Sequence, residues 1–339
     1  MISLLILFIV TNFVIFYLVS KFSYNLNLVD KPNNRKLHLI PTAYTGGLAL
    51  SLIYIFSIYF FDFNDEKLNM ILSISILISV VGLIDDKYNL NFGGKLSLQI
   101  IPIIYLITLQ NFSLNSLGDY NFIKLDLNSL SIPFTLLSVI FLINATNYFD
   151  GMDGTLSLSI ISTLSILYFL IFDENIKLYL IIIFIPICIF TFFNFSILSL
   201  PKLFLGDSGS LLLGFIISFT LIYLANMELV HPILLAWSIA IIVYEFLAIN
   251  LIRLKYKRNI FKPGLDHLHH LLFKIYKSIF LVNLIIILIN ISLFIIGFLF
   301  FTYVHPIVSL ILFSILFFIF LNFRISLIKK SINKKFKNY

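Results

Sequence analysis

Apolar runs of about twenty residues recur along the whole chain, and they limit its fold more than any other feature. Hydrophobic residues make up 60% of the 339 residues and charged residues only 12%, and the mean hydropathy is +1.05. An α-helix needs about 20 apolar residues to cross a bilayer, and only helices and closed barrels can cross it. Because the runs are unbroken rather than alternating, helices are favoured over a barrel. We therefore expect an all-α integral membrane protein built as a polytopic helical bundle.

We expect about eleven (ten to eleven) transmembrane helices, forming a single domain over residues 1–339 that ends in a basic cytoplasmic tail at residues 324–339. The first run has no basic residue before it and no small-residue cleavage site, which favours a first span over a cleaved signal peptide. Cys188 is the single cysteine, so neither a disulfide framework nor a cysteine-based zinc site is expected. The expected spans are 2–20, 45–61, 69–84, 96–110, 131–147, 155–172, 178–198, 208–226, 231–252, 279–302 and 304–323, the last two separated only by His305-Pro306.

Positive charge is distributed unequally between the two sets of loops that these spans create. Twenty of the 23 lysines and arginines fall on one side, and the other side holds only Lys67, Lys124 and Lys177. Since the basic side of a membrane protein faces the cytoplasm, we expect the N-terminus outside and the C-terminus inside. The expected location is the bacterial inner membrane.

Most of the acidic residues on the inner side lie at span ends, in short stretches with glycine or asparagine. They are spread over four loops, which indicates one site on the cytoplasmic face. Glu245 lies within a span instead, where an acid is a functional candidate by default, unless a partner such as Arg253 makes its role structural. The inner acids are Asp30, Asp85, Asp86, Asp150, Asp153, Asp207 and Asp266.

The stretch "NATNYFDGMDG", residues 144–154, places Asp150 and Asp153 three residues apart, each followed by glycine. Such spacing would put both acids on one face of a helical turn, and the glycines would let the backbone approach a ligand closely. The alternative is a loop that only caps the next helix. Asn144 and Asn147 add two more oxygen ligands to the set, which favours a binding site.

Two further stretches carry acids at span ends. In "VGLIDDKYNL", Asp85 and Asp86 are adjacent carboxylates that need a cation or a shared proton to coexist at low dielectric, and at a helix C-terminus they oppose the helix dipole. In "KLFLGDSGS", Asp207 precedes a span, where it is either a helix cap or a ligand for a hard cation beside a bound anion.

Basic side chains belong to the same face. "FKPGLDHLHH" brings His267, His269 and His270 together, a group more suited to a phosphate than to zinc, unless the segment is only an interfacial amphipathic loop. Lys36 and His38 lie in an ordinary positive loop. Hard oxygen ligands combined with these cations predict a magnesium–diphosphate site.

Five motifs, in order, resemble those of the polyprenyl-phosphate N-acetylhexosamine-1-phosphate transferases of the WecA/MraY type, and more closely those of the branch that transfers N-acetylglucosamine 1-phosphate to undecaprenyl phosphate. The motifs are "DKPNNRKLHLIPTAYTGG", "GLIDD", "NATNYFDGMDG", "LFLGDSGS" and "IFKPGLDHLHH". The resemblance implies transfer of a sugar 1-phosphate from a UDP-N-acetylhexosamine to the lipid phosphate, with release of UMP, as the first step of a cell-envelope glycan such as O-antigen. It implies Mg²⁺ as cofactor, with Mn²⁺ as a substitute, no nucleic-acid partner, and leaves a homodimer open. The chain departs from the family at Asn89, where a third acid is common.

The resemblance also implies roles for individual residues. Asp207 and Asn147 would hold the metal. Asp85, Asp86 and Lys95 would act at the phosphates, and the three histidines would contact the sugar or diphosphate. The residues implied in substrate binding are Asn144, Asp150, Asp153, Phe204 (stacked on uracil), Lys36 and His38.

Two alternatives are kept. A sister enzyme would use a different sugar, either UDP-N-acetylmuramoyl-pentapeptide or a deoxy-N-acetylhexosamine. A proton-coupled transporter would place its acids near the bilayer midplane and repeat its halves, whereas all inner acids except Glu245 lie at one face.

Overall fold

The computed structural model describes residues 2–32, 40–61, 63, 65–260, 264 and 266–336, with side chains up to residue 330. Its described part is mostly helical with very little sheet, so the predicted all-α class is confirmed. The helices are α1 Ile2–Asn25, α2 Gly46–Phe60, α3 Glu66–Tyr88, α4 Phe92–Ile104, α5 Ser131–Phe149, α6 Thr155–Leu170, α7 Glu174–Asn194, α8 Gly206–Asn226, α9 Pro232–Ser238, α10 Ala240–Lys255, α11 Leu268–Tyr276, α12 Ile279–Tyr303 and α13 Pro306–Phe336.

The hydrophobic stretches found in the sequence each coincide with a helix or a bent helix pair. Eight described helices are long and apolar enough to span a membrane, counting α4 with the π-helical turn Tyr105–Leu109, and α9 with α10 forms a ninth candidate bent by 73°. Helices α2 and α6 are apolar but shorter. The chain is therefore a multi-pass membrane protein, while the number of spans stays a prediction.

Two small antiparallel hairpins interrupt the helices in the described part of the chain. Strands β1 (Val29–Asp30) and β2 (Thr42–Ala43) pair after α1. Strands β3 (Ser116–Asp119) and β4 (Lys124–Asp126) form a second hairpin, whose second strand lies in the alternating sequence "FIKLDL". The first hairpin matters for the site, because Ala43 also bridges to Leu203, just before α8.

Helix α8 lies at the centre of the bundle, where nearly every residue from Ser208 to Leu224 is buried. Helices α2, α3 and α5 pack directly against it. Glycine permits a close crossing of α3 and α8, because a Cβ at Gly82 of α3 would clash with the backbone of Asp207 and Ser208. Small residues at such crossings let transmembrane helices approach closely. The C-terminal end of α3 and the N-terminal end of α8 are therefore held together at one face of the bundle.

The ends of α3 are fixed by local capping. Asp65 accepts hydrogen bonds from the backbone of Lys67 and Leu68 at its N-terminus. At its C-terminus Asn89 adopts a left-handed conformation, φ 51°, and donates its N–H to the carbonyl of Asp85. Asparagine tolerates this conformation better than most residues, so Asn89 ends the helix three residues after Asp86.

Candidate active site

Four helix ends converge on the ammonium group of Lys95, in the first turns of α4. Its Nζ lies 2.8 Å from Asp85 Oδ2 of α3 and 2.5 Å from Asp207 Oδ2 of α8. The amide oxygen of Asn147, near the end of α5, lies 3.5 Å away. Only 12% of the Lys95 side chain is exposed. One partly buried cation thus gathers oxygens from three other helices, and we call Asp85, Lys95, Asn147 and Asp207 the central cluster.

The amide nitrogen of Asn147 orients the second carboxylate oxygen of Asp207. It donates to Asp207 Oδ1 at 2.9 Å and to the Ser210 hydroxyl at 2.9 Å. With its nitrogen committed to these acceptors, Asn147 turns its oxygen toward Lys95. The nearby Asn144 donates to the carbonyl of Ile140 at 2.8 Å and lies at the edge of the cluster.

Asp86 has a different environment from Asp85, although the two are adjacent. Its carboxylate accepts hydrogen bonds from the backbone N–H of Asp207 at 3.0 Å and of Ser208 at 3.3 Å. A carboxylate on the free N–H groups of a helix start satisfies them and complements the helix dipole. Asp86 therefore caps α8 and fixes the backbone of Asp207, whereas Asp85 faces Lys95.

The turn between α5 and α6 carries Asp150 and Asp153. Asp153 pairs with Lys202 at 2.6 Å. The carboxylate of Asp150 makes no hydrogen bond within the described part of the chain; burial, together with the carboxylates of Asp207 and Asp153, raises its pKa to about 8. The turn is closed by Gly154, φ 78°, whose N–H donates to Asn194 at 2.7 Å. The two acids therefore lie beside the central cluster in a non-helical turn, not on one face of a helical turn as their spacing suggested.

Phe204 is held next to this turn by backbone pairing with the first hairpin. Its N–H donates to the carbonyl of Ala43 at 2.8 Å, and its carbonyl accepts from Gly46 at 3.0 Å. The ammonium of Lys202 lies 5.4 Å from the centre of its ring. Lys202 thus links Asp153 to Phe204. Sequence reasoning missed this role of Lys202, although the motif "KLFLGDSGS" contains both Lys202 and Phe204.

The three histidines lie at the N-terminus of α11. The rings of His267 and His269 stack at 5.5 Å, and the ring of His270 lies 4.3 Å from that of His269. His269 is fully buried, and neither of its ring nitrogens has a hydrogen-bond partner among the described residues. Burial lowers the pKa of His267 to about 3 and that of His270 to about 4, so these imidazoles are neutral near pH 7.

Direct packing joins α11 to the α5–α6 turn. A Cβ at Gly151 would overlap the ring of His269, and Tyr148 meets His267 edge to face at 5.6 Å. The sequence singled out the histidines and Asp150 but gave no signal for Tyr148, because one tyrosine near an apolar run has no distinctive pattern. The histidines and the acid-bearing turn are therefore packed directly against each other.

The structure therefore brings together twelve of the fourteen site residues proposed from sequence, around Lys95, the α5–α6 turn and the start of α11. Asp86 is the member whose carboxylate is fully engaged with backbone. The other two, Lys36 and His38, lie outside the described residues.

The oxygens of the central cluster suit a magnesium ion. They comprise two carboxylates and one amide oxygen that already face a single cation. Within the described ranges no group of three or more His, Cys, Asp or Glu side chains is placed to hold a metal. Mg²⁺ usually binds through one or two carboxylates and completes its shell with water and substrate phosphates. The donor set fits that mode.

A family model described as Glycosyl transferase family 4 matches residues 68–225. This segment runs from α3 to the end of α8 and contains the whole central cluster, the α5–α6 turn and Phe204. The histidines lie beyond it.

Bacterial proteins of one name are similar in sequence over most of the chain. An undecaprenyl-phosphate alpha-N-acetylglucosaminyl 1-phosphate transferase of Escherichia coli O157:H7 is 29% identical over 281 residues, which cover 80% of this chain and 76% of that protein. The protein of the same name from Salmonella typhi is 29% identical over 280 residues, with the same coverage. That from Yersinia pestis is 28% identical over 267 residues, covering 76% of this chain and 73% of its own.

Proposed function

Because a glycosyl transferase family 4 model matches residues 68–225 and similar proteins align over most of the chain, we propose that this chain belongs to that family and transfers N-acetylglucosamine 1-phosphate from UDP-N-acetylglucosamine to a membrane polyprenyl phosphate, releasing UMP. Its relatives are named for undecaprenyl phosphate as the acceptor, which makes that lipid the favoured one here. The observation that carries the proposal is the central cluster, in which Lys95 joins two carboxylates and an amide at one end of the bundle.

The reaction is a substitution at phosphorus. An oxygen of the lipid phosphate attacks the β-phosphorus of the nucleotide sugar, the bond from that phosphorus to the bridging oxygen breaks, and the bridging oxygen leaves with UMP. The second ionisation of a phosphate monoester has a pKa of about 6, so the attacking oxygen is largely charged already at neutral pH. Catalysis therefore depends on bringing two anions together and aligning them, more than on a strong base.

Lys95 supplies positive charge where the phosphates meet. Asp85 holds this ammonium from the α3 side and is suited to orient the lipid phosphate or take up its remaining proton. Two carboxylates, Asp85 and Asp207, already contact this ammonium, so an anionic substrate needs further positive charge to enter. Asp207 and Asn147 would hold Mg²⁺, or Mn²⁺ as a substitute, which supplies that charge when bound.

The nucleotide is assigned to the surface formed by the α5–α6 turn and Phe204. Asp150 and Asp153 offer acceptors for hydroxyl and N–H groups, and the ring of Phe204 is suited to stack on uracil. Neutral His267 and His270 can donate hydrogen bonds to the sugar or diphosphate, whereas His269, which is fully buried, would support both rings by packing. Their neutrality follows from burial and lets them bind through hydrogen bonds rather than charge.

The lipid explains why this chemistry is carried by a membrane bundle. A polyprenyl chain would lie among the helices, and only its phosphate would reach the face that bears the central cluster. We assign that face to the cytoplasm of the bacterial inner membrane, because twenty of 23 basic residues fall on the same side of the predicted topology.

A donor panel tests the proposal. The purified chain would be incubated in detergent with undecaprenyl phosphate, Mg²⁺ and one UDP-sugar at a time, and UMP would be quantified. We expect UMP with UDP-N-acetylglucosamine, no UMP without lipid, loss of activity with EDTA, and recovery with Mg²⁺ or Mn²⁺. An Asp207→Asn variant should be folded and inactive. Preference for UDP-N-acetylmuramoyl-pentapeptide or a deoxy sugar would reassign the donor, and no UMP with any donor would refute the reaction.

A further inference from the structure

A buried ion pair joins the last helix of the bundle to α10. Arg324 of α13 and Glu245 of α10 lie 2.6 Å apart, between Nε and Oε2. The arginine is 0% exposed and the glutamate 1%. Arg324, rather than Arg253, is thus the partner of the intramembrane acid noted in the sequence.

Both members of this pair also hold the start of the histidine helix. Glu245 Oε1 accepts the backbone N–H of Leu268, the first residue of α11, at 2.8 Å. Arg324 Nη2 donates to Glu245 Oε1 at 2.9 Å and to the backbone carbonyl of Asp266 at 2.8 Å. The pair therefore binds the main chain on either side of His267.

A second arginine holds the same segment through the side chain of Asp266. Arg253 donates to both carboxylate oxygens of Asp266, at 2.7 Å and 3.1 Å, and to the carbonyl of Ile260 at 2.8 Å. This arginine holds the pKa of Asp266 below its usual range, although burial opposes the shift. Two arginines from two different helices thus bind one three-residue segment, Asp266 to Leu268.

Much of the rest of α13 is apolar and exposed, which does not explain the buried charge of Arg324. Ile311, Ile315, Phe318 and Ile319 are 50–60% exposed, as expected of a helix that faces lipid. Desolvating an ion pair costs energy that well-packed hydrophobic residues would not, so the pair is a poor device for stability alone. A hydrophobic pair could not form the hydrogen bonds that Glu245 and Arg324 make to the main chain of Leu268 and Asp266.

We propose that Glu245 and Arg324 are positioning residues that set the N-terminus of α11, and with it His267, His269 and His270, for the transfer reaction. The proposal rests on the proposed function, because it gives the histidines a part in that reaction. Neither residue contacts the central cluster within the described structure, so their effect passes through the backbone of Asp266 and Leu268.

Paired substitutions separate positioning from stability. Arg324→Met and Glu245→Leu would be made singly and together, with Lys329→Met as control, since Lys329 lies on an exposed face of the same helix. Thermal unfolding in detergent would be measured alongside kcat and KM for UMP release. We expect each single variant to lower both Tm and kcat, because it leaves a buried charge unpaired. The double variant should recover most of the Tm yet keep kcat at least tenfold low, and the control should match the wild type.

Recovery of kcat together with Tm in the double variant would overturn the proposal. Hydrogen exchange of a peptide covering residues 266–270 gives a readout that needs neither turnover nor the double variant. We expect exchange there to accelerate at least tenfold in Arg324→Met, while a peptide within α8 stays protected. Unchanged exchange would equally overturn the proposal. A wild-type chain that is inactive with every donor would refute the proposed function alone, because exchange would still report whether the pair holds α11.

Discussion

Lys95 shows how one side chain can organise a site at the residue scale. Its ammonium lies within 2.8 Å of carboxylates from two helices that are far apart in sequence. A cation so placed neutralises charge in the folded protein and, in the proposed reaction, on the transferring phosphoryl group. Donors aimed at developing charge in such sites typically contribute about 10²–10³-fold to kcat.

Replacing Lys95 tests that contribution. We expect Lys95→Met to lower the rate of UMP release at least about 100-fold, because neither the carboxylates nor the substrate phosphates would have this counter-charge. Lys87→Met is the matched control, since Lys87 is exposed near the end of α3, close to the same site, and should stay within about twofold of wild type. Equal rates for both variants would contradict the role of Lys95.

The sequence predicted which residues belong to the site better than it predicted what each of them does there. The pair Asp85-Asp86 was recognisable from its charge at a span end. That Asp86 would cap α8 while Asp85 faces Lys95 was not. This difference depends on where the backbone N–H groups of Asp207 and Ser208 point, which follows from the crossing of α3 and α8. Likewise, the sequence suggested Arg253 as the partner of Glu245, whereas the partner is Arg324, because pairing across helices depends on bundle packing.

The crossing of α3 and α8 is the element-scale feature on which the central cluster depends. Gly82 lies one turn before the acid pair and directly against the first turn of α8. Any side chain there would push apart the two helices that carry Asp85 and Asp207. The geometry of the cluster is therefore coupled to a residue with no chemistry of its own.

A methyl group at this crossing should disturb both stability and activity. We expect Gly82→Ala to cost about 1–3 kcal/mol in free energy of unfolding, as overpacking does, and to lower kcat at least tenfold. Gly93→Ala is the control, since a Cβ there would meet nothing closer than Asn91 Oδ1 at 3.7 Å. Both would be compared by thermal unfolding and UMP release, and wild-type behaviour of Gly82→Ala would contradict the close approach.

The buried histidines of α11 predict a pH dependence of stability. The pKa of His267 is lowered to about 3 in the folded protein, whereas an unfolded histidine titrates near 6.5. Below pH 6.5 the unfolded state therefore binds the proton first, and stability falls as pH decreases toward 3. Between pH 7 and pH 5 this residue alone should cost about 2 kcal/mol. His267→Gln should flatten the profile in denaturant titrations at both pH values; an unchanged slope would contradict the buried neutral imidazole.

On the scale of the whole molecule, hydropathy predicted the architecture well. Each expected stretch overlaps a helix or the bent α9–α10 pair, because a bilayer leaves few alternatives to an apolar helix. The break before Pro306 was also found from the sequence. The bend of 73° between α9 and α10 was not, since no proline or glycine marks it. Arg324, assigned by sequence to the start of a basic tail, is buried within α13.

Cysteine labelling can test which side of the membrane each loop faces, which is a property of the whole molecule. In a Cys188→Ser background, Lys124→Cys in the outer hairpin should react with a membrane-impermeant maleimide in intact cells. Lys87→Cys, near the central cluster, should react only after permeabilisation. Both side chains are exposed, so access depends on the membrane alone. The opposite pattern would place the proposed site on the outer face.

The central claim is that the cluster around Lys95 joins a lipid phosphate to the β-phosphorus of a nucleotide sugar. The most direct measurement follows the phosphates, using UDP-N-acetylglucosamine radiolabelled either in the α- or in the β-phosphate, with undecaprenyl phosphate as acceptor. The account predicts that β-label moves into the lipid fraction while α-label is recovered in UMP. β-Label recovered in UDP, with sugar alone on the lipid, would contradict it.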